Sequence, residues 1–347
     1  MNSPFPLAEG WKGWPQAARD AAYDNLAGVP DSAAQVANRN TLSVAFRAAH
    51  AGHLDLPFGA GEREKWDLYP AARADAPCLV FIHGGYWQAL DRSFASHCAR
   101  GLLGQGVAVA VPSYDLCPAV TLGEIAEQMR RAAAFLHRRR GGRLLAAGHS
   151  AGGQLAALLL ATDWPAWEAG LPAGMVGAAL PISGVFELGP LRGTSIGQAL
   201  RLTGAEIATL SPRLLPPPAY EGLHVVVGGA ESDEFIRQSR DFATHWGGSF
   251  EALPGANHFT VLDPFAGTGT TLAAQITSAI ISISTQAPRG MATTPKALRA
   301  CSPAAPNTCA SNSLQPLVTR CCSLNSGVEQ TRLINLTMRL TLPRSLP

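Results

Sequence analysis

"LLAAGHSAGGQLAALLLA", residues 144–161, changes character at a single serine. Before it lies a short apolar stretch of strand length; after it, Ala151 to Ala161 is rich in the strong helix formers Ala and Leu. At the junction, Gly148-His149-Ser150-Ala151-Gly152 matches the G-x-S-x-G pattern, which sets a serine on a sharp strand-to-helix turn. The spacing has a physical reason. Glycines without Cβ atoms let strand and helix approach closely around a strained residue. The start of the helix also points its dipole and free N–H groups at the reacting oxygen. Ser150 is therefore the candidate nucleophile.

Such a serine needs donors aimed where an oxyanion forms, and "FIHGGYWQALDRS" (81–93) has the composition to supply them. An apolar strand, Cys78 to Ile82, ends in His83-Gly84-Gly85. Gly84 and Gly85 offer backbone N–H groups that no side chain screens, and Ala151 offers a third. His83 reads as structural, fixing the loop by hydrogen bonds. Tyr86 and Trp87 read either as core filling or, beside this loop, as a wall of the substrate pocket. The base must be a downstream histidine. His258, in "LPGANHFTVLD", follows a strand and precedes the last helix; His83, His137, His149, His224 and His245 lack that context. The acid has two candidates in "HVVVGGAESDEF" (224–235): Glu231, favoured by its place after Gly228-Gly229-Ala230, and Asp233, which has the more usual residue type. Glu234 reads as a helix N-terminal charge.

Strand and helix patterns alternate from Trp66 onward. Val107 to Val111, Met175 to Ile182, Leu223 to Val227 and Phe250 to Leu253 are further strands, and Thr121 to Arg138 and Glu234 to Trp246 have helical spacing. This predicts an α/β fold with a mostly parallel central sheet and helices on both faces. The expected organisation is an N-terminal helical extension over residues 1–60, an α/β domain over 61–284, and a tail over 285–347. The tail holds four of the seven cysteines and lacks periodicity, so it is expected to be disordered. Residues 184–222, interrupted by prolines, are longer than an ordinary connection and are expected to shape the pocket.

The 347 residues are 47% hydrophobic and carry a net charge of +2, which suits a globular protein and points to neither nucleic acid nor a membrane surface. The Arg138-Arg139-Arg140 run reads as the solvated end of a helix. No apolar run reaches the roughly 18 residues of a membrane span. "MNSPFPLAEGWKGWPQ" shows no signal-peptide pattern, and the cysteine spacings fit neither zinc nor a disulfide framework. A cytoplasmic enzyme needing no metal or organic cofactor is expected, with a small-molecule substrate as partner and a homodimer left open.

With these residues in hand the chain resembles the α/β-hydrolase superfamily, and within it the kynurenine formamidase (arylformamidase) group, whose oxyanion motif is H-G-G-x-W. "YDNLAGVPD" (23–31), "HGGYWQALDRS" (83–93), "SGVFELGPL" (183–191), "ESDEFIRQSRDF" (231–242) and "GANHF" carry the likeness. The resemblance implies hydrolysis of N-formyl-L-kynurenine to L-kynurenine and formate by a triad of Ser150, an acid and His258. Glu231 departs from the aspartate usual in that group. The nearest alternative is a carboxylesterase for small acyl or aryl esters. "DPFAGTGTT" (263–271) has the look of an S-adenosylmethionine loop, but it lacks the strand-and-helix context of a methyltransferase.

Overall fold

The computed structural model describes residues 9–50, 53–218 and 222–267, with residue 278; the expected tail over 285–347 lies outside them. Eight strands form one sheet: β1 (Leu56–Pro57), β2 (Lys65–Tyr69), β3 (Cys78–Ile82), β4 (Ala108–Pro112), β5 (Leu144–His149), β6 (Val176–Ile182), β7 (Gly222–Gly228) and β8 (Ser249–Leu253). Their spatial order is β1-β2-β4-β3-β5-β6-β7-β8. The β1–β2 and β2–β4 pairs are antiparallel, and all the others are parallel.

Alternation along the strands sends side chains to two separate cores. Val80, Ile82, Ala108, Ala110, Leu144 and Ala146 face one layer. Leu79, Phe81, Val109, Val111, Leu145 and Ala147 face the other. The N-terminal helices α1 (Gln16–Tyr23) and α2 (Ser32–Ala49) cover opposite faces, Tyr23 entering the first core and Phe46 the second. After β3 come α3 (Arg92–Ala95) and α4 (Ala99–Gly104). The long α5 (Leu122–Arg140) starts with a reciprocal Thr121–Glu124 cap, and its last turn is the arginine run, with Arg138 paired to Glu168. Next are α6 (Ala151–Ala161), the short α7 (Trp164–Trp167), α8 (Gly204–Leu210), α9 (Asp233–Trp246) and α10 (Asp263–Ala266). The expected insertion is built of 3-10 turns around α8.

The first 60 residues are not a separate helical extension. β1 lies inside them and pairs with β2, and both helices contribute to the cores of the sheet. A two-residue strand is too short to show a period, which is why the pattern places the boundary too late. No helix among the described residues is long and apolar enough to cross a membrane.

Candidate active site

Five neighbouring strands, β3-β5-β6-β7-β8, end at the same edge, and each delivers one component of the site. At the end of β5 the chain turns into α6 through Ser150, whose φ of 56° and ψ of −119° are strained for a residue with a side chain. Such a conformation costs about 1–3 kcal/mol and persists only when its surroundings force it. Here the Ser150 N–H donates to Ile182 O at 2.9 Å, and the Gly153 N–H donates to Ser150 O at 2.9 Å. A Cβ on Gly148 would lie 2.2 Å from Gly152 O, and one on Gly152 would lie 2.1 Å from Ile82 O. Both glycines are therefore sterically obligatory.

At the end of β3 the glycine loop wraps against that turn. A Cβ on Gly84 would lie 2.9 Å from His149 O and 3.1 Å from Ser150 Cβ. The N–H groups of Gly84, Gly85 and Ala151 take no partner among the described residues, and Gly84 and Ala151 lie directly against Ser150. Gly85 has a φ of 103°, and Tyr86, Trp87 and Leu90 follow at 50°, 57° and 69°. Three bulky residues in the left-handed region need firm support. His83 gives part of it: its ring stacks on Tyr114 at 4.1 Å, and its Nδ1 lies 2.8 Å from Gly84 O. Burial pushes the imidazole down to about 4, so it is neutral and donates to that carbonyl. Tyr114 adds hydroxyl hydrogen bonds to His83 O and Gly84 O.

Trp87 is not an open pocket wall. It is fully buried, and its Nε1–H donates to Gln154 Oε1 at 3.2 Å, tying the loop to α6. A large apolar ring with a satisfied N–H gains more in the core than at a rim. Tyr86 is half-buried, and its hydroxyl donates to Tyr23 O at 2.6 Å while accepting from Asn25 Nδ2 at 3.3 Å.

Beyond β8, His258 is brought to the elbow. Its Nδ1 lies 2.6 Å from Glu231 Oε2. The Glu231 side chain is fully buried, and its other oxygen, Oε1, accepts from Ser183 Oγ at 2.5 Å and from the Gly228 N–H at 2.7 Å. Asp233 does not reach the imidazole. It is exposed on the first turn of α9, where an acid suits the helix dipole. Glu234 is in the first turn of α9 as its reading has it, but it is buried there and accepts from the Tyr23 hydroxyl at 2.7 Å.

Two residues near the site escape sequence reasoning. His149 turns its Nε2 to His258 O at 2.8 Å, with the two rings 4.6 Å apart. Burial and the neighbouring His258 hold it well below the usual imidazole range, so neutral His149 donates to that carbonyl. The other is Ser183, which opens the "SGVFELGPL" stretch after an apolar strand but carries no sign there of its partner Glu231. Ser150 Oγ itself takes no hydrogen-bond partner among the described residues, and catalytic contacts of this kind commonly tighten only around substrate. Ser150 and His258 are 3% and 5% exposed, so the site is nearly closed. Among the described residues, no group of three or more His, Cys, Asp or Glu is placed to hold a metal ion.

No protein-family model matches the chain. The kynurenine formamidase of Salmo salar is 30% identical over 225 residues, which span 60% of this chain and 76% of that protein. The kynurenine formamidase of Drosophila melanogaster is 31% identical over 230 residues, 61% of this chain and 76% of that one. The chain belongs to the kynurenine formamidase family.

Solved structures agree with that kinship. A protein from a Silicibacter species, described as a candidate thioesterase, is 33% identical with a TM-score of 0.68, covering 74% of this chain and 98% of its own. Esterase B from Lactobacillus rhamnosis is 20% identical with a TM-score of 0.56, covering 77% of this chain and 96% of its own, a likeness of fold alone. The fold of this formamidase-family chain is the α/β-hydrolase fold, and the protein is a hydrolase.

Proposed function

We propose that the protein cleaves the formyl amide of N-formyl-L-kynurenine to L-kynurenine and formate, with Ser150 as nucleophile, His258 as base and Glu231 as the acid of the triad. The observation that carries the reaction class is the buried His258–Glu231 pair beside a strained serine at a helix N-terminus. The substrate rests on the kinship with kynurenine formamidases.

In this reading His258 Nε2 takes the Ser150 proton as Oγ attacks the formyl carbon. Glu231, accepting from Nδ1–H, orients the ring and stabilises its charged form. The free N–H groups of Gly84, Gly85 and Ala151 receive the oxyanion, each donor contributing on the order of 10²–10³ in rate. Protonated His258 then gives its proton to the departing aryl amine. Water, activated by the same ring, releases formate from the formyl-serine. Half-buried Tyr86 is proposed as the aromatic side of the pocket. Three free buried thiols, Cys78, Cys98 and Cys117, suit a reducing cytoplasmic setting.

A second reading, hydrolysis of small esters or thioesters, is favoured by the 33%-identical relative described as a candidate thioesterase. Both readings use the same triad and differ in the leaving group. The test is release of kynurenine from N-formyl-L-kynurenine beside p-nitrophenyl acetate and a short acyl thioester, all with one preparation. A kcat/KM for the formyl amide well above the other two is expected, with Ser150→Ala losing on the order of 10⁶ in kcat while keeping its fold. Turnover of the esters alone would overturn the formamidase reading, and activity surviving in Ser150→Ala would overturn the mechanism.

A further inference from the structure

We propose that Ser183 is a positioning residue for the catalytic acid, and that the Ile182–Ser183 corner at the end of β6 holds nucleophile and acid in register. This rests on the reading of Ser150, Glu231 and His258 given above. Ile182 O accepts the Ser150 N–H at 2.9 Å. The next residue, Ser183, gives its hydroxyl proton to Glu231 Oε1 at 2.5 Å. Two consecutive residues thus grip the nucleophile's backbone on one side and the acid's carboxylate on the other.

The corner is built for this geometry. Ser183 is fully buried and has a φ of 48°, a left-handed conformation that a serine adopts at a cost. Its own N–H is fixed to Val226 O at 2.7 Å, so the strain is imposed by the β6–β7 junction. Behind it, a Cβ on Gly153 would lie 3.0 Å from Gly184 Cα, so α6 presses on the same corner. There the hydroxyl can reach only one oxygen of Glu231. With the Gly228 N–H at 2.7 Å it saturates Oε1 and leaves Oε2 to His258.

Glu231 has one more rotatable bond than an aspartate, so its carboxylate needs more external restraint to present one oxygen steadily. Ser183 supplies that restraint by a hydrogen bond to a charged group, a stronger class than a neutral one. A hydroxyl that only satisfied a buried carboxylate would affect stability. One that aims the carboxylate affects the chemical step.

Ser183→Gly separates these roles, because glycine accepts the left-handed backbone freely while the hydroxyl is lost. The assay is Ser150-dependent hydrolysis of p-nitrophenyl acetate, together with the rate of Ser150 phosphonylation by a fluorophosphonate. Ser183→Gly is expected to lose about 10- to 100-fold in kcat and in phosphonylation rate with KM nearly unchanged, the relief of the left-handed backbone offsetting part of the stability lost with the hydroxyl. Ser183→Ala should show the same kinetic loss with a lower midpoint, so a folding failure in either variant leaves the other decisive. In a Glu231→Gln background, Ser183→Gly should cause no further loss, since it acts through that carboxylate. Rates within about two-fold of wild type in Ser183→Gly would overturn the proposal, as would a loss that multiplies fully with Glu231→Gln. Both assays need only a reactive Ser150. A wild-type enzyme inert toward the formyl amide would therefore defeat the substrate reading and leave this test standing.

Discussion

At the scale of single residues, the two acids two positions apart make opposite predictions. Glu231 meets His258 Nδ1 at 2.6 Å with its side chain fully buried. Glu231→Gln keeps the shape but presents an amide that is no longer a charged acceptor, and it can leave the imidazole in the wrong tautomer. A fall on the order of 10³–10⁴ in kcat is expected. Asp233 is exposed at the start of α9, so Asp233→Asn should leave kcat within about two-fold and cost at most a few tenths of a kcal/mol. Steady-state rates of both variants decide it, and a large kcat loss in Asp233→Asn would reverse the assignment of the acid. The candidates for nucleophile, base and oxyanion donors are legible in the chain because each sits in a local pattern: glycines around a serine, glycines after a strand, a histidine after the last strand. The local pattern after Gly228-Gly229-Ala230 favours Glu231 but leaves Asp233 open, and the buried contact with His258 separates them. The roles of Ser183 and His149 are not legible in the chain, since their partners Glu231 and His258 are brought to them only by the order of the strands.

At the scale of elements, α1 behaves as a brace across the site edge. Tyr86, beyond the glycine loop, donates to Tyr23 O; Ser232, next to Glu231, donates to Ala22 O; Asp20 accepts from Ser195 in the insertion. The anchor is the Tyr23 hydroxyl, which donates to Glu234 Oε1 at 2.7 Å and accepts from Gln238 Nε2 at 2.8 Å. Tyr23→Phe removes that hydroxyl, while Glu234 keeps Arg237 and Gln238, and Gln238 keeps Glu234 and Glu187 O. The expected cost is about 1 kcal/mol, or roughly 2–4 °C in Tm. Because the Tyr86 hydroxyl rests on the carbonyl of the same residue, kcat/KM should fall with it. A scan showing an unchanged Tm would remove the brace from the account. Long elements such as α5 and α6 are legible from period and composition, their ends falling within about two residues. The antiparallel edge, the short α3 and α7, and the role of α1 are not. Each is too short for a period to emerge, and α1 shows its purpose through contacts 175 to 215 residues away in the chain.

At the scale of the whole molecule, buried neutral histidines set the acid limit of stability. Burial pushes His83 and His97 down to about 4, and burial with the neighbouring His258 holds His149 well below the usual range. In the unfolded chain each returns to about 6.5. Below that value the unfolded state binds protons that the folded state refuses, so stability falls as pH falls. It is fully present above about pH 7, and for His83 and His97 the loss is complete only once pH passes below their folded values near 4. With three such groups, unfolding near pH 5 should take up about three protons, a slope on the order of 4 kcal/mol per pH unit. Two units of that slope remove about 8 kcal/mol, a large part of a total stability of about 5–15 kcal/mol, so a steep loss of stability is expected between pH 6.5 and 4. The carboxylates held low by their partners, Asp55, Glu64 and Asp91 among them, lose their contribution only at lower pH. Between pH 6.5 and 5 the histidines dominate, His224 and His245 adding to the slope and Glu187 and Asp263, pushed up by burial, opposing it. Urea unfolding at half-unit steps across that interval measures the slope directly. A midpoint that stays flat from pH 6.5 to 5 would mean these rings are protonated in the fold. Neutral His149 could then no longer be assigned as the ring that donates to the carbonyl of His258.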